Sequence, residues 1–278
     1  MQTLQTKLRS LRSWQGLTIA ALAKKINADP KYLVNFESGE RDYMRPSPHQ
    51  MAELIEAYGV TENALSRLIH DELEWRTCAH DGRLETLPRI AHYHRGELPA
   101  IARSFFEQRE FVVLDLETTG SDPHSERTEV LEIAIVDANG KPVLNTLVKA
   151  FGPIPAEAQA IHGISNEMVA SAPTFREIYP QLVQAISGKV IVIFNANYDA
   201  YLLDNLIIRH GLDLPHFDQW CLMKAYANYY KSPGKYKSYA WQKLSDACKQ
   251  QDVKLTEAHR AMGDTLATYL LLKKLAEK

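Results

Sequence analysis

The chain has 278 residues, about twice a typical domain length, so two domains are the starting expectation. Its hydrophobic fraction of 45% and charged fraction of 24% are those of ordinary globular proteins, which excludes wholesale disorder, collagen and coiled coil. A formal net charge of −2 argues against an evenly basic nucleic-acid binder, yet a site that gathers carboxylates for metal ions is itself negative, and its cations change the field a phosphate meets.

No apolar run follows Met1 to Lys7 or approaches ~18 residues, so neither signal peptide nor membrane span is expected and the expected location is the cytoplasm. Cys78, Cys221 and Cys248 are far apart and odd in number, which suits reduced structural thiols.

Residues 3–70 read as five short helices. Leu4, Leu8 and Leu11 mark the first, ending near Gly16, and Thr18 caps a second holding Ile19, Leu22, Ala23 and Ile26. Asp29 as cap and Pro30 at the first helical position open the third, through Lys31, Tyr32, Asn35 and Phe36, and Gly39 stops it. Ser47-Pro48 starts the fourth, with Met51, Leu54 and Ile55 inward, and Thr61 the fifth, with Leu65, Leu68 and Ile69. Residues 71–110 have weak periodicity and hold Gly82, Pro88, Gly96 and Pro99, so a partly helical linker is expected there.

From Phe111 the pattern changes. The apolar run Phe111 to Leu116, the β-branched Val130 to Val136, and Val143 to Val148 after the Asn139-Gly140 turn predict three sequential antiparallel strands. A helix with Phe175, Ile178, Leu182, Val183 and Ile186 follows, then a buried strand Val190 to Phe194. Helices are expected over 199–209, 221–229, 238–249 and 262–276, which makes residues 111–278 a three-layer α/β domain.

Asp115 and Glu117 lie two apart at the end of the first strand, on one face, where two carboxylates can share a divalent cation. Alone the pair means little, because Asp-x-Glu should occur about once by chance in such a chain, and a solvated strand end is then the plainer explanation. Asp199 follows the strand Val190 to Phe194, at the sheet edge where open α/β folds collect their sites; the cap of the next helix is its plain alternative role. His259 and Asp264 are five apart, about 140° on a continuous helix, so His259 belongs in the loop or first turn and Asp264 on the helix proper.

Asp115-Leu116-Glu117-Thr118-Thr119-Gly120, the Asn195-x-x-x-Asp199 element and His259-x-Ala261-x-x-Asp264 together resemble the three motifs of the DEDDh 3′→5′ exonucleases, among them the proofreading subunit of bacterial replicative DNA polymerase, ribonuclease T and the oligoribonucleases. Ile161-His162-Gly163-Ile164 and Ala172-Pro173-Thr174-Phe175 are similar to the family's segment between its first two motifs, and the likeness runs in order over residues 111–277. The sister group's tyrosine position holds Arg260, so the histidine form is implied, and Phe194 stands where many relatives have histidine.

The resemblance implies a ribonuclease H-like three-layer mixed-sheet fold. It also implies catalytic Asp115, Glu117, Asp199, Asp264 and His259, the four carboxylates holding two divalent ions, Mg²⁺ or Mn²⁺. Two such ions ~3.5 to 4 Å apart serve both the attacking water and the leaving oxygen, hard oxygen ligands suit these metals, and a near-neutral histidine suits a general base. Thr118, His162 and Tyr198 are candidate substrate contacts, with Tyr201 beside them; core packing or loop capping is the alternative for His162 and the tyrosines. The Lys231 to Lys237 loop, with Lys235-Tyr236-Lys237, mixes cations and aromatics as single-strand binders do, or is a solvated loop.

The N-terminal segment, with Gly16-Leu17-Thr18, Leu22-Ala23 and Phe36-Glu37-Ser38-Gly39-Glu40-Arg41, resembles the Cro/C1-type repressor helix-turn-helix family, an all-α domain over residues 1–70. That likeness implies a third helix offering Lys31, Tyr32 and Asn35 to the major groove, although the fold also serves protein contacts. Cys78-Ala79-His80 and His92-Tyr93-His94 do not fit common zinc spacings.

The expected partners are a single-stranded 3′ end of nucleic acid at the carboxylates, duplex DNA at the N-terminal helices and, as an open assembly, a second copy of the chain. DNA is the favoured polymer. Two other readings are a 3′→5′ RNA exonuclease, since a metal cage acts on phosphates common to both polymers, and a transcriptional regulator using the domain as a scaffold.

Overall fold

The computed structural model describes residues 8, 11–12, 15–38, 46–62, 64–65, 69, 97–123, 125, 127–213, 218–233 and 239–278. The chain divides into two compact units, residues 1–88 with 201–214, and residues 89–200 with 215–278.

In the first unit, helices α1 (Ile19–Lys25), α2 (Pro30–Glu37) and α3 (Pro48–Tyr58) begin at the residues the sequence marks. The Thr18 hydroxyl accepts from Ala21 N at 3.1 Å, and the Asp29 carboxylate accepts from Lys31 N at 2.8 Å. Ser47 and Gln50 form a reciprocal capping box, and Gly59 closes α3 in the left-handed region at φ 63°. Leu8, Leu22, Leu33, Phe36, Leu54 and Leu65 are buried. Among them Arg12 donates to both oxygens of Glu37, at 2.8 and 3.1 Å, and the Tyr58 hydroxyl donates to the same carboxylate at 3.0 Å. Burial first, and the Glu37 charge second, push the Tyr58 hydroxyl far up, so it stays a donor. The expected stop at Gly39 and the paired Cys78-His80 and His92-His94 lie outside the described residues.

The second unit holds one five-stranded sheet in the order β3-β2-β1-β4-β5. Its strands are β1 (Phe111–Thr118), β2 (Val130–Asp137), β3 (Pro142–Leu147), β4 (Val190–Ile193) and β5 (Asp218–Cys221). β1 to β3 pair antiparallel, as their sequence spacing predicts, whereas β4 and β5 join β1 in parallel, so the sheet is mixed. The β2-β3 turn explains Asn139-Gly140. Asp137 Oδ1 accepts from Asn139 N and Lys141 N, and a Cβ on Gly140, at φ 77°, would stand 2.6 Å from the Tyr269 ring.

The other helices are α4 (Leu98–Gln108), α5 (Ala156–His162), α6 (Asn166–Val169), α7 (Phe175–Ile186), α8 (Ala196–Arg209), α9 (Leu222–Tyr230), α10 (Leu244–Gln250) and α11 (Ala261–Ala276). None of the described helices is long and apolar enough to cross a membrane. The short β5, α5 and α6 do not stand out in the sequence. The expected helix over 238–249 is shorter, and Lys235-Tyr236-Lys237 lies outside the described residues.

The stretch read as a linker contains α4, and α4 is a core element. Its apolar positions Leu98, Ile101, Ala102 and Phe105 recur at helical spacing and join Phe111, Val113, Trp220, Leu271 and Leu275 in one buried cluster. The Phe105 ring lies 5.1 Å from Trp220 and 5.4 Å from Phe111. Phe105→Ala is therefore expected to destabilise this unit by about 3 to 5 kcal/mol, a cost that no surface substitution in a linker would carry. Urea unfolding of the full-length chain checks it.

Candidate metal centre and active site

Side chains two apart on β1 share a face. Phe111 and Val113 spend that face on the buried cluster that also holds Leu271, Leu272 and Leu275 of α11. Asp115 and Glu117 continue it at the end of the strand, and Asp264 stands in the first turn of α11. Asp115, Glu117 and Asp264 each offer a carboxylate oxygen, and these atoms all lie within 4.8 Å of one another.

Asp199 joins them from α8. It is not the cap of that helix, which begins at Ala196. β4 pairs with β1 only as far as Val113, so the edge of β1 beyond is open on that side, and buried Asp199 fills it by accepting from Leu116 N at 3.2 Å. The carboxylate thereby closes a strand edge and is held beside Asp115.

Four acids this close disfavour their own ionisation. Burial is the largest influence on each and raises all four. The neighbouring carboxylates push Asp115, Glu117 and Asp199 further, and Glu117 reaches about 8. Asp264 is partly relieved by the His259 backbone N–H, which donates to its Oδ2 at 3.3 Å. Hard oxygen donors whose charges repel are a donor set that fits divalent cations.

His259 precedes α11 in the turn the sequence reading assigns to it. It is exposed and left-handed at φ 62°, as is Glu257 at φ 56°. This turn crosses the start of α11 so closely that a Cβ on Gly263 would lie 2.2 Å from the Glu257 carbonyl oxygen and 2.6 Å from that of Thr256. Glu132 anchors the other side. It sits on β2 opposite Glu117, is buried, accepts from Arg260 Nη2 at 2.6 Å and Nε at 3.0 Å, and accepts from Ala261 N at 2.9 Å. A side chain from the sheet thus caps α11, for which Arg260 makes no side-chain cap of its own. Glu132, Arg260 and Gly263 escape the sequence reading as positioning residues; the available signal was a lone acid inside the apolar run Val130 to Val136.

The candidate substrate contacts are engaged within the chain. The Thr118 and Tyr198 hydroxyls, with oxygens 2.6 Å apart, share a hydrogen bond and both lie within hydrogen-bond reach of the Gly120 carbonyl, which ties the turn after β1 to α8. His162 is buried, its Nδ1 accepts from Ile164 N at 3.0 Å, and its Nε2 makes no hydrogen bond of normal geometry. Burial lowers its pKa, and the nearby Thr118 backbone opposes that in part. Tyr201 is buried. On α2, Lys31 is exposed; Asn35 and Tyr32 are half-buried, with the Tyr32 ring stacked on Phe36 at 6.1 Å.

Gly263→Ala should destabilise the α11 start by about 1 to 3 kcal/mol, the range of an overpacked site, in chemical unfolding of the full chain. The cage also sets a pH dependence. Glu117 binds its proton more tightly folded, at about 8, than an ordinary carboxylate does, so its stabilising contribution is present at acid pH and lost as pH rises through about 8. The melting temperature of the metal-free protein should therefore fall between pH 5 and 8, with added Mg²⁺ or Mn²⁺ restoring it and Asp264→Asn flattening the slope.

Residues 112–272 match the family described as exonuclease, and residues 4–68 match a helix-turn-helix domain. Exonuclease CP81 of Escherichia phage 186 is 39% identical over 173 residues, 60% of this chain and 88% of that protein. A DNA polymerase III subunit epsilon-like protein of Rhodobacter capsulatus is 37% identical over 131 residues, 45% of this chain and 18% of that protein. The PolC-type DNA polymerase III of Caldanaerobacter subterraneus is 30% identical over 174 residues, 61% of this chain and 12% of that protein. The chain thus spans less than a fifth of these polymerase relatives. Among solved structures, cell-death related nuclease 4 superposes with a TM-score of 0.50 at 22% identity, covering 60% of this chain and 63% of that one. Escherichia coli exonuclease I in complex with a dT13 oligonucleotide gives 0.51 at 18% identity, covering 60% and 41%. These likenesses show the fold, a ribonuclease H-like mixed sheet with helices.

Proposed function

The chain belongs to the DEDDh exonuclease family and carries a helix-turn-helix domain, and on that premise we propose that it hydrolyses nucleic acid from the 3′ end, with DNA the favoured polymer. The observation that carries the reading is the meeting of Asp115, Glu117 and Asp264 oxygens within 4.8 Å, with Asp199 fixed beside them. Two divalent ions, Mg²⁺ or Mn²⁺ by the hardness of these oxygens, would polarise the attacking water and stabilise the leaving oxygen when bound there.

The chain's own residues supply the rest. The four carboxylates would hold the ions, with Asp199 oriented by the Leu116 N–H and Asp264 by the His259 N–H. The His259 imidazole would take the proton of the attacking water as a new phosphorus–oxygen bond forms. The bond to the 3′ oxygen of the preceding nucleotide breaks, releasing a nucleoside 5′-monophosphate and a shortened strand. DNA is favoured because relatives at 37% and 30% identity are named as DNA polymerase III components and the first unit matches a helix-turn-helix domain. Duplex DNA is the partner proposed for that unit, met by exposed Lys31.

The test is incubation of full-length protein, with Mg²⁺ or Mn²⁺, on 5′-labelled single- and double-stranded DNA and RNA. Stepwise shortening from the 3′ end, abolished by chelation, is expected. Asp199→Ala should abolish it with the fold retained, and His259→Ala should slow it by ~10² to 10⁴. Faster loss of RNA than DNA would reassign the polymer, and a folded, metal-bound protein inert on all substrates would leave the regulator reading.

A further inference from the structure

Scattered exposed hydrophobic residues are normal on a protein surface, but a rigid group of exposed rings is not. Among the described residues between positions 230 and 241, three large aromatic side chains stand in water: Trp241 is 63% exposed, Tyr230 44% and Tyr239 43%. They share one anchor. The Tyr230 ring stacks on buried Tyr226, centroids 5.9 Å apart and planes 11° apart. The Tyr226 hydroxyl donates to Gln250 Oε1 at 2.9 Å, Gln250 Nε2 donates to Gln242 Oε1 at 3.0 Å, and Gln242 Nε2 donates to the Ala240 carbonyl at 3.0 Å. Ala240 N donates to the Ser232 carbonyl at 2.9 Å, and Pro233 pairs with Tyr239 across the loop. The segment bearing Tyr239 and Trp241 is therefore tied, bond by bond, to the tyrosine that supports Tyr230.

Charge and position narrow what such a platform binds. Lys231, next to Tyr230 in the chain, and Lys243, two residues after Trp241, are exposed, and Asp246 is the acid in the following turn. At the other end of α9, Lys224 Nζ donates at 2.8 Å to Asn197 Oδ1, two residues before Asp199. Lys224 to Tyr230 is six residues of one helix, ~9 Å, a distance that a bound strand of ~4 to 16 nucleotides can span. Cations interleaved with exposed rings suit phosphates and bases together, and every base offers a face for stacking.

We propose that Tyr230, Tyr239 and Trp241, with Lys231 and Lys243, form a stacking platform for the single strand leading to the 3′ end at the carboxylates. The proposal rests on the exonuclease reading for the position of that end. It places part of the single-strand contact on a surface outside the metal cage.

The test is fluorescence anisotropy of labelled deoxythymidine oligonucleotides with full-length protein in EDTA, where binding is read without hydrolysis. The double variant Tyr239→Ala, Trp241→Ala should weaken binding of a strand of about 12 nucleotides roughly tenfold or more, and weaken a dinucleotide much less. Trp241→Phe should keep most of the affinity while losing the quenching of Trp241 emission. Phe151→Ala, which removes a ring 73% exposed elsewhere in the same unit, is the control and should match wild type. Equal affinity of wild type and double variant for the long strand, with unchanged melting, overturns the platform and leaves the surface to another class of partner. Hydrolysis that proceeds normally alongside that result leaves the exonuclease reading standing, whereas length-dependent binding without any hydrolysis sinks that reading and not the platform.

Discussion

Bringing like charges together at the end of a central strand is costly, and the arrangement around β1 follows from it. Asp115 and Glu117 are fixed by the pleat, Asp264 comes from the start of α11, and Asp199 is held at the open edge of β1 by the Leu116 N–H. Raised proton affinities follow, from burial first and from that crowding second. A divalent cation answers it better than any side chain here, because it carries two charges in the space between the oxygens. The mixed sheet order makes this geometry possible: antiparallel β2 flanks β1 on one side, and parallel β4 on the other delivers α8 to the same end of the sheet.

Repulsion would open the site if its parts were loosely held, and the start of α11 is held on both sides. Glu132 binds Arg260 through two hydrogen bonds and Ala261 N through a third. The turn bearing His259 is pressed against Gly263, and its left-handed Glu257 and His259 each carry about 1 to 2 kcal/mol of backbone strain that these contacts offset. Glu132 also faces Glu117 across the strand pair, and its ion pair with Arg260 sets a positive group against this further acid beside the cage.

The first unit meets the same problem with a different answer. Glu37 is buried among leucines, and there the compensation is internal: a two-bond ion pair with Arg12 and a third bond from Tyr58. Together these bonds join α2, α3 and the segment bearing Arg12 around one buried carboxylate. The glutamine chain beneath Trp241 is comparable, since it orders a surface segment by satisfying each polar group in turn.

What the sequence determined by itself was local. Candidate metal-binding acids, a histidine before a helix and helix caps such as Thr18, Asp29 and Ser47 depend on residue type and short spacing, so the proposed site of Asp115, Glu117, Asp199, Asp264 and His259 and the starts of the first helices were legible without coordinates. Roles that depend on distant contacts were not. A helix in a weakly periodic stretch, Leu98–Gln108, reads as a linker until its apolar face is seen against Trp220 and Phe111. Asp199 reads equally as a helix cap until β4 is seen to leave β1 unpaired beside it, and Glu132 is only an acid among valines and isoleucines until Arg260 arrives from 128 residues away. Tertiary structure alone decided these, because a hydrogen-bond partner or a packing neighbour far along the chain leaves no period or spacing in the local sequence.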